Sequence, residues 1–256
     1  MSRPVPYIDP SRPKPRLRPL RAWKHMQNLI ADKEDTKEVF YIIEALNGNS
    51  LRKGFDRFCA TENGLRLLEQ RRYLPDILDD HDTLATYPEN SVAHAYITFM
   101  QREGLSAAGL VAESEAHESI TDPYEDDLQW FGERMRDTHD LFHVLTGYGR
   151  DALGEDALLG YTHSQHGGLG INFISFVGAR EVAKHAPKGV NISAVVKEAR
   201  KNGKAALRIV DQDIPALLQE PIADARARMN IPEPVLYKEA LRSFQEAGID
   251  PQLVAA

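Results

Sequence analysis

Four side chains in this 256-residue sequence have the types and spacing to hold one divalent metal ion: His139, Asp140, His143 and Glu155. Two imidazoles four residues apart return to nearly the same face of a helix, so both can turn a ring nitrogen toward one point. Asp140, next to His139, reaches that point from the flank. Glu155 follows His143 by twelve residues, beyond a Gly147-Tyr148-Gly149 turn, and can fold back from the next helix. Two nitrogens and two carboxylates leave coordination positions open and accept zinc, iron or manganese. The plainer reading is structural, since histidine pairs at this spacing are common in helices that bind nothing, and Asp140 could accept from Arg136. The combination favours an ion. Burying Asp140 and Glu155 near one another is costly without a counter-charge, which a cation or a nearby arginine would supply.

Such a set needs one helix before the turn and one after it. The first is expected from Pro123 to about Thr146, with Thr121-Asp122 as its cap and Pro123 in its first turn. Seven carboxylates between Glu113 and Asp127 suit the positive end of its dipole. Leu128, Phe131, Met135, Phe142 and Leu145 form its inward stripe, with His139 on the same face. Asp151 opens the second helix.

Elsewhere the punctuation is also helical. Asp35-Thr36 opens a run closed by Gly48, Ser50–Cys59 and Glu62–Tyr73 form a shorter pair, and Asn90-Ser91 caps a helix that Gly104 stops. Ser106 starts a short helix. Residues 169–186 and 190–202 read as two more, and the chain is helical again from Pro221 with a break at Pro232 and Pro234. Leu207–Val210 is the one run that suggests a strand. The fold class expected is all-α: a single-domain helical bundle with a central metal-binding helix-turn-helix.

Composition narrows the partners. A net charge of −7 argues against general nucleic-acid binding, and no apolar run approaches the length of a membrane span. A single cysteine, Cys59, rules out an internal disulfide and suits a reducing compartment. Residues 1–24 hold seven basic groups against Asp9 alone, interleaved with six prolines. Such an arm is expected to run extended, as a solvated tail, as a strap over the surface or as a weak attractor of anionic lipid heads. By composition the chain divides into this basic proline-rich arm (1–30), a helical domain (31–231) and a C-terminal helical extension (232–256).

His139-Asp140-Leu141-Phe142-His143, eleven residues and then Glu155 resembles the HDxxH-x11-E motif of the fourth protein of the coenzyme Q (ubiquinone) biosynthetic pathway. The flanks Arg136-Asp137-Thr138 and Val144–Gly149 are similar too, as are Pro88–Ser91 followed by Tyr96 and Phe99, and the later Gln165, Gly178 and Asn202-Gly203. The resemblance covers roughly residues 80–231. It departs at Ser91-Val92-Ala93-His94, where the family usually has Ser-Leu-Gly, and at Ile214, where a tryptophan is frequent.

The resemblance implies a protein that holds zinc or another divalent ion, lies against the inner face of a membrane from the cytoplasm, and organises other ubiquinone enzymes, with a homodimer as its expected state. It implies a part in replacing the ring carboxylate of a polyprenylated hydroxybenzoate-type precursor by a hydroxyl. A non-catalytic scaffold for prenylated intermediates is the alternative. Gln165 becomes a candidate for head-group contact, while His163 and His166 read as core or surface residues. The stretch Leu169–Val177 reads equally as a core helix and as the wall of a prenyl groove, with Leu169, Phe173 and Phe176 as contacts. An HD-type phosphohydrolase fits poorly: His94 or His117 and Asp211 or Asp213 would serve only by coincidence, and His143 and Glu155 would be left unexplained.

Overall fold

The structure, a computed structural model, describes residues 5–32, 35, 37–115 and 124–250. Helices and connecting turns make up all of it, with no strand beyond an isolated bridge between Ser91 and Pro221 among the described residues. The chain divides into two compact units, each assembled from separate segments.

One unit comprises Met1–Pro15, Asn49–Leu145 and Arg208–Met229. Its helices are α3 (Ser50–Cys59), α4 (Glu62–Gln70), α5 (Leu74–Asp79), α6 (His81–Leu84), α7 (Val92–Glu103), α8 (Ala107–Glu115), α9 (Asp127–Asp137), α10 (His139–Thr146), α14 (Ile214–Gln219) and α15 (Ile222–Arg228). Phe55, Phe58, Leu67, Leu68, Leu128, Phe131 and Val210 form a shared core, in which the Phe58 and Phe131 rings meet at 5.2 Å. Arg134 is buried beside it and donates from Nε to the Val210 carbonyl at 2.9 Å, satisfying a loop that has no ladder of its own.

The other unit comprises Arg16–Gly48, Thr146–Leu207 and Asn230–Ala256. It holds α1 (Pro19–Ala31), α2 (Lys37–Leu46), α11 (Ala152–His166), α12 (Leu169–His185), α13 (Ile192–Ala205) and α16 (Val235–Glu246). Ala22, Met26, Ile42, Ala45 and Ile174 make its core, with Phe173 and Val177 packed against them. Two glycines let backbones touch. A Cβ on Gly170 would lie 2.7 Å from Ile43 Cα, and one on Gly203 would lie 2.5 Å from the Tyr161 carbonyl oxygen.

The all-α reading holds, and several local readings are corrected. The basic arm does not run extended throughout, because residues 19–31 form α1. Pro19 occupies the first helical turn, where its missing N–H costs nothing, and no proline follows it until the helix has ended. The residues before it do strap a surface. Arg12 grips Asp126 through two hydrogen bonds of 2.6 Å, and the Asp9 N–H donates to the same carboxylate at 2.9 Å.

The long helix expected from Pro123 to Thr146 is two helices. It starts at Asp127, capped by the Asp126 carboxylate accepting from the Leu128 and Gln129 N–H groups. The expected cap at Thr121–Pro123 lies outside the described residues. Thr138 interrupts the run with ψ near 0°, and its hydroxyl donates back to the Arg134 carbonyl at 2.9 Å. Leu207–Val210 is not a strand but leads into a 3-10 turn over Ile209–Asp211. The Glu62 helix stops at Gln70, where Arg71 turns left-handed.

Candidate metal centre

The first three proposed ligands lie on α10, a helix short enough that its ends must be held from outside. At its C-terminal end Arg226 of α15 donates to the Leu145 carbonyl at 2.9 Å and to the Val144 carbonyl at 3.1 Å. Every side chain of α10 but His139 is buried. His139 and His143 follow one another by a turn, as their spacing requires. Their rings stand perpendicular with centroids 5.1 Å apart, and each offers a nitrogen within 4.8 Å of the other's. Phe99 of α7 stacks on the His143 ring at 5.3 Å and 21°, which fixes its plane.

Asp140 is 7% exposed. Asp140 is not among the residues whose ligand atoms gather with the His139–His143 pair. The alternative partner raised by the sequence is engaged elsewhere: Arg136 donates to Asp137 Oδ1 at 2.8 Å and to Ser114 Oγ at 2.9 Å. Burial raises the Asp137 carboxyl above its ordinary value, and the neighbouring Arg136 offsets this in part.

Glu155 belongs to the second unit, in the first turn of α11, half-buried, with Arg150 Nε 3.7 Å from its Oε1. The approach to α11 is tightly specified. Gly147 turns at φ +77°, and a Cβ on Gly154 would lie 2.2 Å from the Gly149 carbonyl oxygen. Asp151 caps the helix by accepting from the Gly154 N–H at 3.0 Å, and its other oxygen accepts from the Tyr237 hydroxyl. Burial raises the Asp151 carboxyl, with those two bonds opposing the shift. Nothing in the sequence spacing pointed to Tyr237, which lies 86 residues away.

Of the proposed substrate contacts, Gln165 is buried and its Nε2 donates to the Leu207 carbonyl at 3.0 Å. Phe173 is half-buried against Trp23, with ring centroids 6.2 Å apart. Leu169 and Phe176 are exposed on α12. His163 Nδ1 lies 3.1 Å from the Gly168 carbonyl, which fits a structural role.

The family model described as coenzyme Q (ubiquinone) biosynthesis protein Coq4 matches residues 22–235. The chain belongs to the Coq4 family. The match extends well beyond the stretch that carries the motif, and membership places the chain in ubiquinone biosynthesis. Among curated Coq4 proteins, the mitochondrial one of Podospora anserina is 23% identical over 221 residues, 86% of this chain and 67% of that protein. The mitochondrial one of Komagataella phaffii is 27% identical over 181 residues, 69% of this chain and 56% of that protein. The chain thus spans between about half and two thirds of these relatives. A crystal structure from Nostoc punctiforme PCC 73102, provisionally assigned to ubiquinone biosynthesis, shares the fold with a TM-score of 0.61 at 17% identity, covering 84% of this chain and 99% of that one. Among the described residues of this Coq4 chain, no helix is long and apolar enough to cross a membrane.

Proposed function

We propose that the chain replaces the ring carboxylate of a polyprenylated hydroxybenzoate-type acid by a hydroxyl, using a divalent ion held by His139, Asp140, His143 and Glu155. The observation that carries this is the His139–His143 pair, whose ring nitrogens converge to within 4.8 Å of one another. That donor chemistry fits zinc, iron or manganese. When bound, a divalent cation supplies positive charge against the substrate carboxylate and a neighbouring ring oxygen.

The protein's own part is to bind and orient. The imidazoles give neutral donors, and the two carboxylates set the net charge of the site. Leu169, Phe173 and Phe176 of α12 offer the prenyl tail an apolar face, and Gln165 of α11 would reach the head group by exchanging its bond to the Leu207 carbonyl. Overall, the acid, one water and one dioxygen give the phenol, carbon dioxide and hydrogen peroxide: the ring–carboxylate bond breaks, water supplies the ring oxygen, and the two electrons and two protons released pass to dioxygen.

The test uses protein purified without nickel or chelator, with its metal content measured. One ion per chain is expected, falling to none in His143→Ala. Loaded separately with zinc, iron and manganese, the protein is then given the prenylated acid under air and the product followed by mass. Conversion that Glu155→Gln abolishes supports the reaction. Unchanged acid from protein that binds both metal and substrate would overturn it in favour of a scaffold.

We also propose peripheral contact with anionic lipid through α1. Its exposed Leu20 and Trp23 lie among Arg16, Arg18, Arg21 and Lys24, a pairing of apolar and basic side chains that suits a lipid interface.

A further inference from the structure

Glu155 enters α11 from a turn whose own residues do little to fix its direction. Gly147 turns at φ +77°, and Gly149, two residues later, has no side chain to restrict the backbone. Tyr237 of α16, 3% exposed, supplies the missing restraint. Its hydroxyl accepts from the Gly149 N–H at 3.0 Å and donates to the Asp151 carboxylate, so one oxygen ties the end of the turn to the cap of α11. Its ring meets the Tyr148 ring edge-on, with centroids 5.4 Å apart. The fit is close: a Cβ on Gly149 would lie 2.7 Å from the Tyr237 hydroxyl oxygen and 2.9 Å from Asp151 Oδ2. Asp151 passes the restraint on through two further bonds. Its Oδ1 accepts from the Gly154 N–H at 3.0 Å, and its carbonyl accepts from the Glu155 N–H at 2.9 Å. Tyr237 is itself firmly held. With Ala240 and Phe244 it forms the buried stripe of α16, and the Leu236 N–H donates to Glu198 Oε2 of α13 at 3.0 Å.

We propose that Tyr237 is a positioning residue for Glu155: its hydroxyl locks the turn at 147–150 against the cap of α11 and thereby sets where the Glu155 carboxylate points. This rests on the metal reading above. For packing alone a phenylalanine would fill the same space, whereas the two bonds of the hydroxyl join the turn to the cap. The family match ends at residue 235, where α16 begins, so the support comes from a helix that family membership does not account for. Outer supports of metal ligands are worth about 10–100-fold in affinity; acting through the cap rather than on the carboxylate, Tyr237 falls at the lower end.

The test measures Co2+ affinity in wild type, in Tyr237→Phe, which removes one oxygen and keeps the ring, and in Phe244→Leu, which loosens α16 away from the turn. Tyr237→Phe should bind about 10-fold more weakly, and Phe244→Leu within about twofold of wild type although it also lowers the melting temperature. In a Glu155→Gln background, Tyr237→Phe should add nothing, because the hydroxyl acts through that carboxylate. In metal-free protein, the Gly154 and Glu155 amides should exchange faster in Tyr237→Phe relative to those of α13, read by NMR. A Tyr237→Phe affinity within about twofold of wild type overturns the proposal. So does an equal loss in Phe244→Leu, or a loss that persists undiminished in the Glu155→Gln background. If wild type takes up no ion, the metal reading falls on its own, and exchange at Gly154 and Glu155 still decides whether Tyr237 holds the turn.

Discussion

Replacing Asp126 by asparagine isolates the charge of the N-terminal clasp, since asparagine still caps α9. Burial pushes the Asp126 carboxyl up, but the Arg12 pair and the N–H groups of Asp9 and Gln129 outweigh it and hold the pKa at about 2, against an ordinary 3.8. A difference of nearly two units corresponds to about 2 kcal/mol, trimmed to roughly 1–2 kcal/mol by screening at the solvent edge of Arg12. A depressed carboxyl contributes stability that is complete above the unfolded value and fades as pH falls from 3.8 toward 2. Urea unfolding at pH 7, 5, 3.5 and 2.5 should therefore show Asp126→Asn less stable by 1–2 kcal/mol at the upper two values, with the gap closing at the lowest. Arg12→Ala should show the same dependence, and the double variant should lose less than the sum. A gap that stays constant with pH, or none at pH 7, would refute an electrostatic clasp.

Three further outcomes are expected. His143→Ala should release the metal and also lower the melting temperature of the metal-loaded protein, because the nearby carboxylates lose their cation; calorimetry with and without zinc reads both effects, and equal melting with either would contradict the assignment. Binding to vesicles rich in anionic lipid should weaken as salt rises and fall further in Trp23→Ala, while equal binding to neutral and anionic vesicles would remove α1 from the account. Gly203→Ala should cost about 1–3 kcal/mol by urea titration, since its Cβ would lie 2.5 Å from the Tyr161 carbonyl oxygen, a backbone atom with little freedom to retreat.

What was legible in the sequence is what local chemistry decides. Ser91, Gly104 and Asp151 mark helix ends where expected, because capping depends on a residue and its neighbours within one turn. The four-residue return of His143 onto His139 is equally local. The break at Thr138 was not legible, because a threonine within a periodic run reads as helix until its hydroxyl is seen to bond backward. The arm misled for a related reason: prolines that forbid a helix before residue 19 favour the start of one at Pro19. The support of Asp151 by Tyr237, and of the Val144 and Leu145 carbonyls by Arg226, rests on contacts more than 80 residues apart along the chain, which no spacing rule reaches.

The segmental make-up of the second unit has a consequence during synthesis. Met26 and Ile42 share a core with Ile174, so α1 and α2 leave the ribosome long before the helix that covers them is made. At translation rates of about 5–20 residues per second, the interval between Met26 and Ile174 is on the order of ten seconds. Through that time the α1–α2 hairpin carries an uncovered apolar face, a natural stopping place for a nascent-chain chaperone. A contiguous fragment ending before α12 would keep that face for good.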